Sequence, residues 1–440
     1  MQSSEKLSAR PRLDVERVEL PNGLVLLLSE NHSTPSVSIN AIVLAGSRFE
    51  PDEKAGLASL VGDLLDEGTG SRSGQQIAET VEAVGGRLAT FGEYQTSGVV
   101  SAFLSKDVQL GVEIVSDVLI NAIFPEDKVR QRVARRLAQI KSRLDVPRTQ
   151  ASDIFNEIVF KGTPQHRPAV GYEATVRNLT RDDIVDFYSH YYVPNNAMVA
   201  VVGDINKADV KNGIEEAFGA WPRAADFKAP RPPAPRHQAG PVTKYVFAPK
   251  EQVNIFIGHV GVERANPDYY ALLVMDTILG SSPGFTSRIP RILRDEMGLA
   301  YTTFANMTSS AGLDAGRFVA YIGTSPENLE RAIAGLRAEI ERIAREPVSE
   351  HELDVAKNYL TGSFVFHFQK NSQIADFLAQ AEMYNLGFDY LERFPEMIRA
   401  VTIDDITRVA REYLHPERLV TVVVGPVDER GRIINRDNLT

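Results

Sequence analysis

Residues 179–205 read LTRDDIVDFYSHYYVPNNAMVAVVGDI, and residues 401–427 read VTIDDITRVAREYLHPERLVTVVVGPV. The two stretches share Thr, Asp-Asp-Ile, Tyr, Pro and Val-Val-Gly at one constant spacing of 222 positions, as from Asp182 to Asp404. Thr180 stands where a helix N-cap belongs, and Asp182 stands in the first helical turn. Each stretch therefore predicts a capped helix, a proline-marked turn and a buried strand that ends at glycine.

Two further matches show that this pair belongs to a longer duplication. The strand-like run from Val37 recurs from Val253 at a spacing of 216 positions, and Glu126 recurs as Glu350 at a spacing of 224. A duplicated domain with small insertions gives such a slowly drifting spacing, whereas chance explains one block but hardly three in order. The chain is therefore predicted to hold two homologous domains.

The border between the repeats is WPRAADFKAPRPPAPRHQAGPVT at residues 221–243, a stretch rich in Pro and Ala that is typical of an extended linker. We predict a first domain at residues 12–222, a linker at residues 223–242 and a second domain at residues 243–430. Strand-like runs and long helices occur together in each half. This pattern predicts an α+β fold of two homologous α/β-sandwich domains, each a mostly antiparallel sheet with helices packed on one face.

The composition limits the chemistry that this chain can carry. Its 440 residues suffice for two domains, and its net charge of −10 gives no overall basic field for nucleic acid. The absence of cysteine excludes disulfides, thiolate zinc sites and cysteine nucleophiles. The sequence contains no run of 18 apolar residues, so it predicts no membrane span. The arginine-rich helix at residues 128–143 is interpreted as a solvated face, because its charges go round the helix.

The stretch SRIPRILRDEMGLAY at residues 287–301 places Arg294 seven residues before Tyr301, with Gly298 between them. Apolar residues at helical spacing predict a short amphipathic helix over residues 287–297, which Gly298 ends, and the run from Tyr301 predicts a strand. Such a corner can aim a guanidinium and a phenol at one place, where they could hold a peptide carbonyl or carboxylate. The local sequence equally allows an exposed arginine beside a core tyrosine.

Four motifs of the first half carry a resemblance to a known family: LPNGL from Leu20, AGSRFEP from Ala45, KAGLA from Lys54 and DEGT from Asp66. Together with the repeated strand ends at Gly203 and Gly425 and with residues 287–301, they resemble the pitrilysin family (M16) of zinc metallopeptidases. That family includes insulin-degrading enzyme and the mitochondrial processing peptidase. The likeness covers nearly the whole chain in order. Its length matches the half-size (M16B) subclass, in which two chains close on each other like a clamshell. The resemblance implies the LuxS/MPP-like metallohydrolase fold.

Active members of that family carry an inverted zinc motif, His-x-x-Glu-His, on the first helix. Two histidines bind one Zn²⁺, and the glutamate between them activates the bound water. The resemblance places Ser59, Gly62 and Asp63 at these positions. The distal glutamate, the third ligand, would lie around Gln139, in a run without a carboxylate. All four functional positions are therefore lost, and we expect no metal, no cofactor and no catalysis by this chain alone.

In this family an Arg and a Tyr of the second domain contact the substrate near the zinc of the opposing half. Arg294 and Tyr301 match both residues and their spacing. The resemblance therefore implies the complementary subunit of a heterodimer, whose HxxEH-bearing partner holds the zinc. This chain would supply substrate binding and transition-state hydrogen bonds in trans, for the hydrolysis of peptides in a closed chamber.

Two other functions remain open at this stage. One is a purely structural scaffold, like the core subunits of the respiratory cytochrome bc₁ complex, which are degenerate members of the same family. The other is a stand-alone homodimeric peptide-binding protein. An intact Arg294 and Tyr301 pair favours the peptidase subunit, because a scaffold has no reason to keep it.

The compartment is predicted from the family alone. The first residues, MQSSEKLSARPR, are polar and contain no apolar signal segment. The protein is therefore cytosolic, or a signal peptide has been removed. Because bacterial half-size members are often exported, we expect the periplasm, with the cytoplasm as the alternative.

Overall fold

The computed structural model describes residues 13–282 and 286–434, which divide into two compact units. The first unit consists of residues 13–140, 168–231 and 364–393. The second unit consists of residues 141–167, 232–282, 286–363 and 394–434. Within these described residues, no helix is both long enough and apolar enough to cross a membrane.

The strands, in chain order, are β1 (Val15–Glu19), β2 (Val25–Glu30), β3 (Ser36–Val43), β4 (Arg87–Gly92), β5 (Ser97–Leu104), β6 (Ala197–Gly203), β7 (Val242–Phe247), β8 (Val253–Val260), β9 (Thr302–Asn306), β10 (Arg317–Thr324) and β11 (Val420–Gly425). The α-helices are α1 (Leu57–Leu64), α2 (Gly74–Ala83), α3 (Val108–Ile120), α4 (Glu126–Leu144), α5 (Pro147–Val159), α6 (Glu173–Val176), α7 (Arg181–Tyr191), α8 (Lys207–Phe218), α9 (Tyr269–Asp276), α10 (Leu329–Arg345), α11 (Glu350–Ser363), α12 (Asn371–Met383), α13 (Tyr390–Ala400) and α14 (Ile403–Tyr413). Two π-helices span Thr277–Ser281 and Pro290–Glu296.

The first unit is built on a six-stranded sheet in the order β1-β2-β6-β3-β5-β4. Only β2 and β6 pair in parallel, and the other neighbours are antiparallel. β1 and β2 form a hairpin, with Val18 opposite Leu26. The predicted mostly antiparallel sheet is confirmed, and β4 lies at one edge of it.

Helices cover both faces of this sheet. On one face, Leu26 and Ile39 lie in the same buried cluster as residues of α1 and α3. On the other face, Leu27 and Ala200 pack against Ile374 and neighbouring residues of α12. Apart from α5, which belongs to the second unit, the helices of the first half thus lie on one face, as predicted. α12, which comes from the second half, adds a helix to the opposite face, so that most of β3 is buried on both sides.

The second unit has a five-stranded sheet in the order β7-β11-β8-β10-β9, in which only β11 and β7 are parallel. Phe155 of α5 packs against Phe256 of β8, with ring centroids 6.0 Å apart. α10 also contacts β8 and β10, and its Leu336 and Ile340 are fully buried. β9 forms an edge of this sheet and begins directly after Tyr301.

The two copies of the repeated stretch fold alike. Thr180 and Thr402 each accept a hydrogen bond from the N–H three residues on, and each closes a capping box with Asp183 or Asp405. The helices that follow lead to β6 and β11, which both end at glycine. The predicted caps and strands of residues 179–205 and 401–427 are therefore confirmed.

The compact units are not the two continuous halves of the chain. α5 belongs to the second unit although it lies in the first half, and α12 belongs to the first unit although it lies in the second half. The two helices begin 224 positions apart, at Pro147 and Asn371, so they are the same element of the repeat. The division at residues 12–222, 223–242 and 243–430 stays a prediction about the duplication, whereas the units describe how the chain packs.

Candidate functional site

Helix α1 carries three of the positions that the resemblance assigned to the zinc motif. Its N-terminus is fixed by a buried carboxylate, because the N–H groups of Gly56 and Ala58 each donate to Glu50 at 2.8 Å. Seven of its eight residues are buried, the exception being Asp63. α1 is therefore a core helix, and any group on its inner side needs a partner from within the unit.

A guanidinium group from α4 supplies that partner. Nη1 of Arg136 donates to Oγ of Ser59 at 2.7 Å, and Nη2 donates to Oδ2 of Asp63 at 2.5 Å. The Arg136 side chain is only 4% exposed. The positions of the two expected histidines are thus joined by an internal cation that links α1 to α4. An ion pair at this depth is held by charge-assisted hydrogen bonds.

The interpretation of residues 128–143 as a solvated face is wrong for Arg136. The buried residues of α4 are Val129, Arg136 and Ile140, which share one side of the helix at spacings of seven and four. Arg130, by contrast, has a side chain that is 71% exposed. Counting charges round the helix missed the one arginine that stands at an inward-facing position.

The place of the catalytic glutamate has no room for a side chain. A Cβ atom added at Gly62 would lie 2.3 Å from the carbonyl oxygen of Phe91 and 2.5 Å from the amide nitrogen of Gly92. Both of these are backbone atoms of β4, so a side chain at this position would require the strand to move. Gly62 therefore allows α1 to lie directly against β4.

The fourth predicted position, Gln139, lies one turn beyond Arg136 on α4 and is exposed. No group of three or more His, Asp or Glu side chains that could hold a metal ion occurs among residues 13–282 and 286–434. With Ser59 and Asp63 engaged by Arg136 and a clash at position 62, the residues present do not fit a catalytic zinc ion.

A second group of charges follows α1. Glu67 accepts a hydrogen bond from Arg132 at 2.6 Å, and its other oxygen lies 3.2 Å from Nζ of Lys128. Burial alone would raise the pKa of Glu67, but these two cations outweigh it and hold the pKa below its usual value. Burial raises the pKa of the neighbouring Asp66, with the Glu67 charge adding to the effect. α4 thus contributes three cations to the segment around α1.

The edge strand β4 borders a cavity of about 680 Å³ in the first unit. Its lining includes Asp66 from the turn after α1, Glu82 from α2, Arg87 from β4 and Asp376 from α12. Burial raises the pKa of Asp376, and the hydrogen bond from Asn40 at 2.6 Å partly offsets this. In the part of the chain that the structure describes, β4 pairs only with β5, so its outer edge has no strand partner.

Arg294 and Tyr301 lie on either side of a glycine turn in the second unit. Arg294 belongs to the π-helix Pro290–Glu296, and its Nε donates to Asp295 at 3.0 Å. Gly298 has φ +65°, which confirms the predicted glycine stop. Tyr301 is 91% exposed, so the alternative of a core tyrosine is wrong. The structure places the phenol in the open, directly before β9.

The helix predicted over residues 287–297 is π-helical over most of its length, rather than α-helical. Met297 donates to the carbonyl five residues before it, Ile292, at 2.9 Å. Pro290 has no N–H to donate in the hydrogen-bond pattern of an α-helix. The π-helix ends at Glu296, two residues before the turn at Gly298. Sequence periodicity did not distinguish these helix types, because Leu293 is buried in the wider turn as well.

Two family models match successive parts of the chain. The insulinase model of peptidase family M16 matches residues 25–173, and the model described as the peptidase M16 inactive domain matches residues 178–360. Together they span most of the sequence and both halves of the duplication.

Curated bacterial relatives resemble the chain over nearly its whole length. An uncharacterized zinc protease of Mycobacterium tuberculosis is 29% identical over 411 residues, which are 93% of each chain. One from Streptomyces coelicolor is 28% identical and covers 94% of this chain and 90% of its own. One from Bacillus subtilis is 22% identical and covers 94% and 98%.

Two solved structures share the fold. The peptidase M16 inactive domain from Pseudomonas fluorescens aligns with a TM-score of 0.87 and 23% identity, over 94% of this chain and 99% of that one. A protease from Helicobacter pylori aligns with the same TM-score and 22% identity, over 94% and 100%. The predicted α+β fold with two homologous domains is confirmed by these likenesses.

Proposed function

Because the chain belongs to peptidase family M16, we propose that it is a non-catalytic subunit of a heterodimeric zinc metallopeptidase. The zinc would be held by a homologous, HxxEH-bearing partner, and peptides would be hydrolysed in a closed chamber. The names of the bacterial relatives, which are zinc proteases, support the reaction class for the complex.

One observation supports this proposal above the others. The positions of the zinc motif are taken by an internal ion pair around Arg136, whereas the ring of Tyr301 is 91% exposed. A chain with this arrangement lacks the ligands of the zinc motif but still presents a hydrogen-bond donor at the matching position of the second repeat.

The role proposed for Arg294 and Tyr301 is to bind substrate and stabilise the transition state in trans. When water attacks a peptide carbonyl, negative charge develops on its oxygen. A guanidinium N–H and a phenolic O–H can both donate to that oxygen, and such donors contribute most to catalysis when they are fixed in advance. The zinc of the partner would activate the water, and this chain would hold the carbonyl.

The open edge of β4 supports peptide binding in the first unit. An extended peptide can pair its backbone with an exposed strand, while neighbouring cavities take alternate side chains. The cavity beside β4 carries Asp66, Glu82 and Asp376, so it would favour basic or polar side chains. This chain would then bind a peptide at β4 without hydrolysing it.

The proposal is tested by reconstitution. The chain is purified alone and together with its candidate zinc-bearing partner, and each sample is assayed for metal content and for cleavage of a quenched fluorescent peptide. We expect neither zinc nor cleavage from the chain alone, and zinc-dependent cleavage only from the pair. Stoichiometric zinc in the isolated chain would contradict the central claim.

Two variants test the exposed pair in the complex. Arg294→Ala and Tyr301→Phe are expected to lower turnover while the subunits still assemble, as measured by gel filtration. Arg345→Ala and Tyr359→Phe remove the same groups elsewhere in the second unit and are expected to leave turnover unchanged. Equal kinetics for all four variants would mean that Arg294 and Tyr301 have no part in the reaction.

A peptide-binding or scaffold protein without peptidase function is the second candidate. It is favoured by the same filled site around Arg136, together with the open edge of β4. Its distinguishing result is a stable complex or a peptide-bound homodimer in which Arg294→Ala changes no reaction rate.

A further inference from the structure

A second cavity, of about 510 Å³, lies entirely within the second unit. It is bordered by the two π-helices, by residues that flank them, by α11 with the preceding Ser349, and by Arg342 of α10. Among the described residues that line it, three are arginines, Arg288, Arg291 and Arg342, and one is a carboxylate, Glu352. This excess of positive charge is unlike the acidic lining of the cavity beside β4.

Arg288 is a buried residue, 5% exposed, and Glu352 holds it by a two-point ion pair. Nε donates to Oε1 at 2.6 Å and Nη2 donates to Oε2 at 3.0 Å. Oε2 also accepts the N–H and the hydroxyl of Ser349, both at 2.9 Å. The hydrogen bonds from Arg288 lower the pKa of Glu352 to about 2, so the carboxylate is ionised and fully engaged.

The third guanidinium nitrogen of Arg288, Nη1, takes no part in this ion pair. Nη1 is buried and has no hydrogen-bond partner among the residues that the structure describes. Buried guanidinium N–H groups are almost always satisfied, by protein, by water or by a ligand. Arg288 lines the cavity, so its unused N–H leaves one hydrogen bond available to a ligand bound there.

The two other arginines are half-exposed at the same cavity. The side chain of Arg291 is 46% exposed and pairs with Glu296 at 2.8 Å. The side chain of Arg342 is 43% exposed and pairs with Glu346 at 2.9 Å and Glu339 at 3.5 Å. These three carboxylates do not line the cavity. The pairs with Glu296 and Glu346 are exposed and therefore weak, whereas Glu339 is buried, with a side chain 8% exposed, and lies 3.5 Å from Arg342. The exposed pairs leave both guanidinium groups free to turn toward a ligand.

We propose that this cavity binds an oxyanion, a carboxylate or a phosphate, which Arg288, Arg291 and Arg342 hold together. A guanidinium fork matches the geometry of both groups, and three such forks around one cavity exceed what a single structural ion pair requires. The volume is within the range of small-ligand sites. The shared chemistry has two sources, the terminal carboxylate of a peptide or free phosphate. The proposal does not depend on a zinc-bearing partner.

Calorimetric titration of the isolated full chain tests this site. The probes are inorganic phosphate, N-acetyl-dialanine with a free carboxylate, and the amide of the same peptide, all at one ionic strength set with chloride. We expect one-to-one binding of phosphate or of the free carboxylate, and none of the amide. Whichever anion binds more tightly identifies the source. If neither binds, or if the amide binds as well as the acid, the proposal is wrong.

Two arginines of α10 give a matched pair of variants. Arg342→Gln removes a charge at the cavity, whereas Arg345→Gln removes a charge one turn away, from a side chain that is 74% exposed and paired with Glu341. Arg342→Gln is expected to weaken anion binding about tenfold, and Arg345→Gln to leave it unchanged. Equal weakening by both would show an effect of net charge alone and would overturn the site.

The buried arginine is tested without leaving a buried charge behind. Arg288→Gln combined with Glu352→Gln removes both members of the ion pair, and circular dichroism verifies the fold. We expect this double variant to lose anion binding. Binding as in the unchanged protein would exclude Arg288 from the site, and with it the proposal. Should the double variant fail to fold, the α10 pair still decides the outcome.

Discussion

Helix α1 of the first unit and the Gly298 turn of the second unit hold the residues that the family resemblance assigns to catalysis, and they differ in burial. Ser59 is 4% exposed and is held by Arg136, whereas Tyr301 is 91% exposed. Every polar group that replaces the zinc motif on α1 has a partner inside its own unit. The phenol of Tyr301 reaches solvent instead.

The difference separates two kinds of residue. A buried polar replacement has to be satisfied by its surroundings, since an unpaired buried group costs about 1–3 kcal/mol. Ser59, Asp63 and Arg136 therefore belong to the stability of the fold. An exposed phenol adds little to stability. Stability thus explains the cluster of Ser59, Asp63 and Arg136 (the α1 cluster) but not the exposure of Tyr301, for which we propose a role in function. Four changes in unfolding free energy test this division.

The largest loss is expected for Gly62→Glu, which restores the residue of the active family. The new Cβ would lie 2.3 Å from the backbone of Phe91, so α1 and β4 must separate. We expect a loss of about 4 kcal/mol in urea-induced unfolding. Gly70→Glu is the control, because Gly70 is exposed and a Cβ added there would have no neighbouring atom within 4 Å. If the two variants had similar urea midpoints of unfolding, the site of Gly62 would be no more tightly packed than that of the exposed Gly70.

Restoring the whole motif is also expected to fail, because of the charge of Arg136. The protein with Ser59→His, Gly62→Glu, Asp63→His and Gln139→Glu would carry the family ligands while Arg136 remains between them. Because a fixed guanidinium repels a divalent cation, we expect no stoichiometric zinc by metal analysis. Tight zinc binding by this variant would show that the site is only depleted of ligands and not filled.

The second largest loss is expected for Arg136→Ala. It leaves Ser59 and Asp63 without their donor and opens a cavity between α1 and α4, so the unfolding free energy should fall by about 3 kcal/mol. Arg130→Ala, on the same helix, removes a side chain that is 71% exposed and 4.0 Å from Glu126. Its effect should stay within about 0.5 kcal/mol. If both variants changed the unfolding free energy by an equally small amount, Arg136 would behave as a solvated arginine and the ion pair with Asp63 would not stabilise the fold.

A third, smaller effect concerns pH and α9, the helix that follows β8 in the second unit. Asp276 at the end of α9 is fully buried and accepts the N–H groups of Met307 and Thr308, each at 2.8 Å. Burial raises its pKa to about 6, above the ordinary 3.8, although the bonds from Thr308 oppose this. The unfolded chain releases its proton first, so this group favours the folded state below pH 4 and loses that contribution as the pH rises through 6.

Denaturation at pH 4.5 and 6.5 measures this contribution. The unchanged protein should lose about 2 kcal/mol between these values relative to Asp276→Asn, in which the group cannot ionise. Other titrating groups act equally on both proteins and cancel in the difference. Parallel pH profiles would show that Asp276 is solvated, and that α9 is not held by a buried carboxyl group.

The smallest effect on stability is expected for Tyr301→Phe. Removing this exposed hydroxyl should change the unfolding free energy by less than about 0.5 kcal/mol, while turnover of the complex falls about tenfold. Tyr321→Phe makes the same chemical change at a buried hydroxyl that donates to Asn254 at 2.9 Å, and it should cost about 1 kcal/mol. A large loss of stability from Tyr301→Phe would place this residue in the same class as the α1 cluster.

Local sequence signals predicted much of the fold. The caps at Thr180 and Thr402, the strands β6 and β11 and the stop at Gly298 each follow from interactions within a few residues. The spacing of the repeats also predicted that the domain is duplicated. These features need no knowledge of which element packs on which.

What the sequence did not predict depends on long-range packing. The amphipathic pattern of α5 or α12 says that one side is buried, but not against which sheet. The burial of Arg136 required the position of α1, although its place between Val129 and Ile140 was a usable signal. The absence of a Cβ at Gly62 is visible in the sequence, yet its reason is the backbone of β4, which lies elsewhere in the chain.

The exchange of α5 and α12 between the two units bears on how the chain is made. The sheet of the first unit obtains the helix for one of its faces from residues 371–383, so it stays half-covered until those residues have left the ribosome. A break in the linker at residues 223–242 would give two fragments, each with one sheet lacking a helix and one helix lacking its sheet. The duplication thus produced two halves that repeat each other in sequence but complete each other only as one continuous chain.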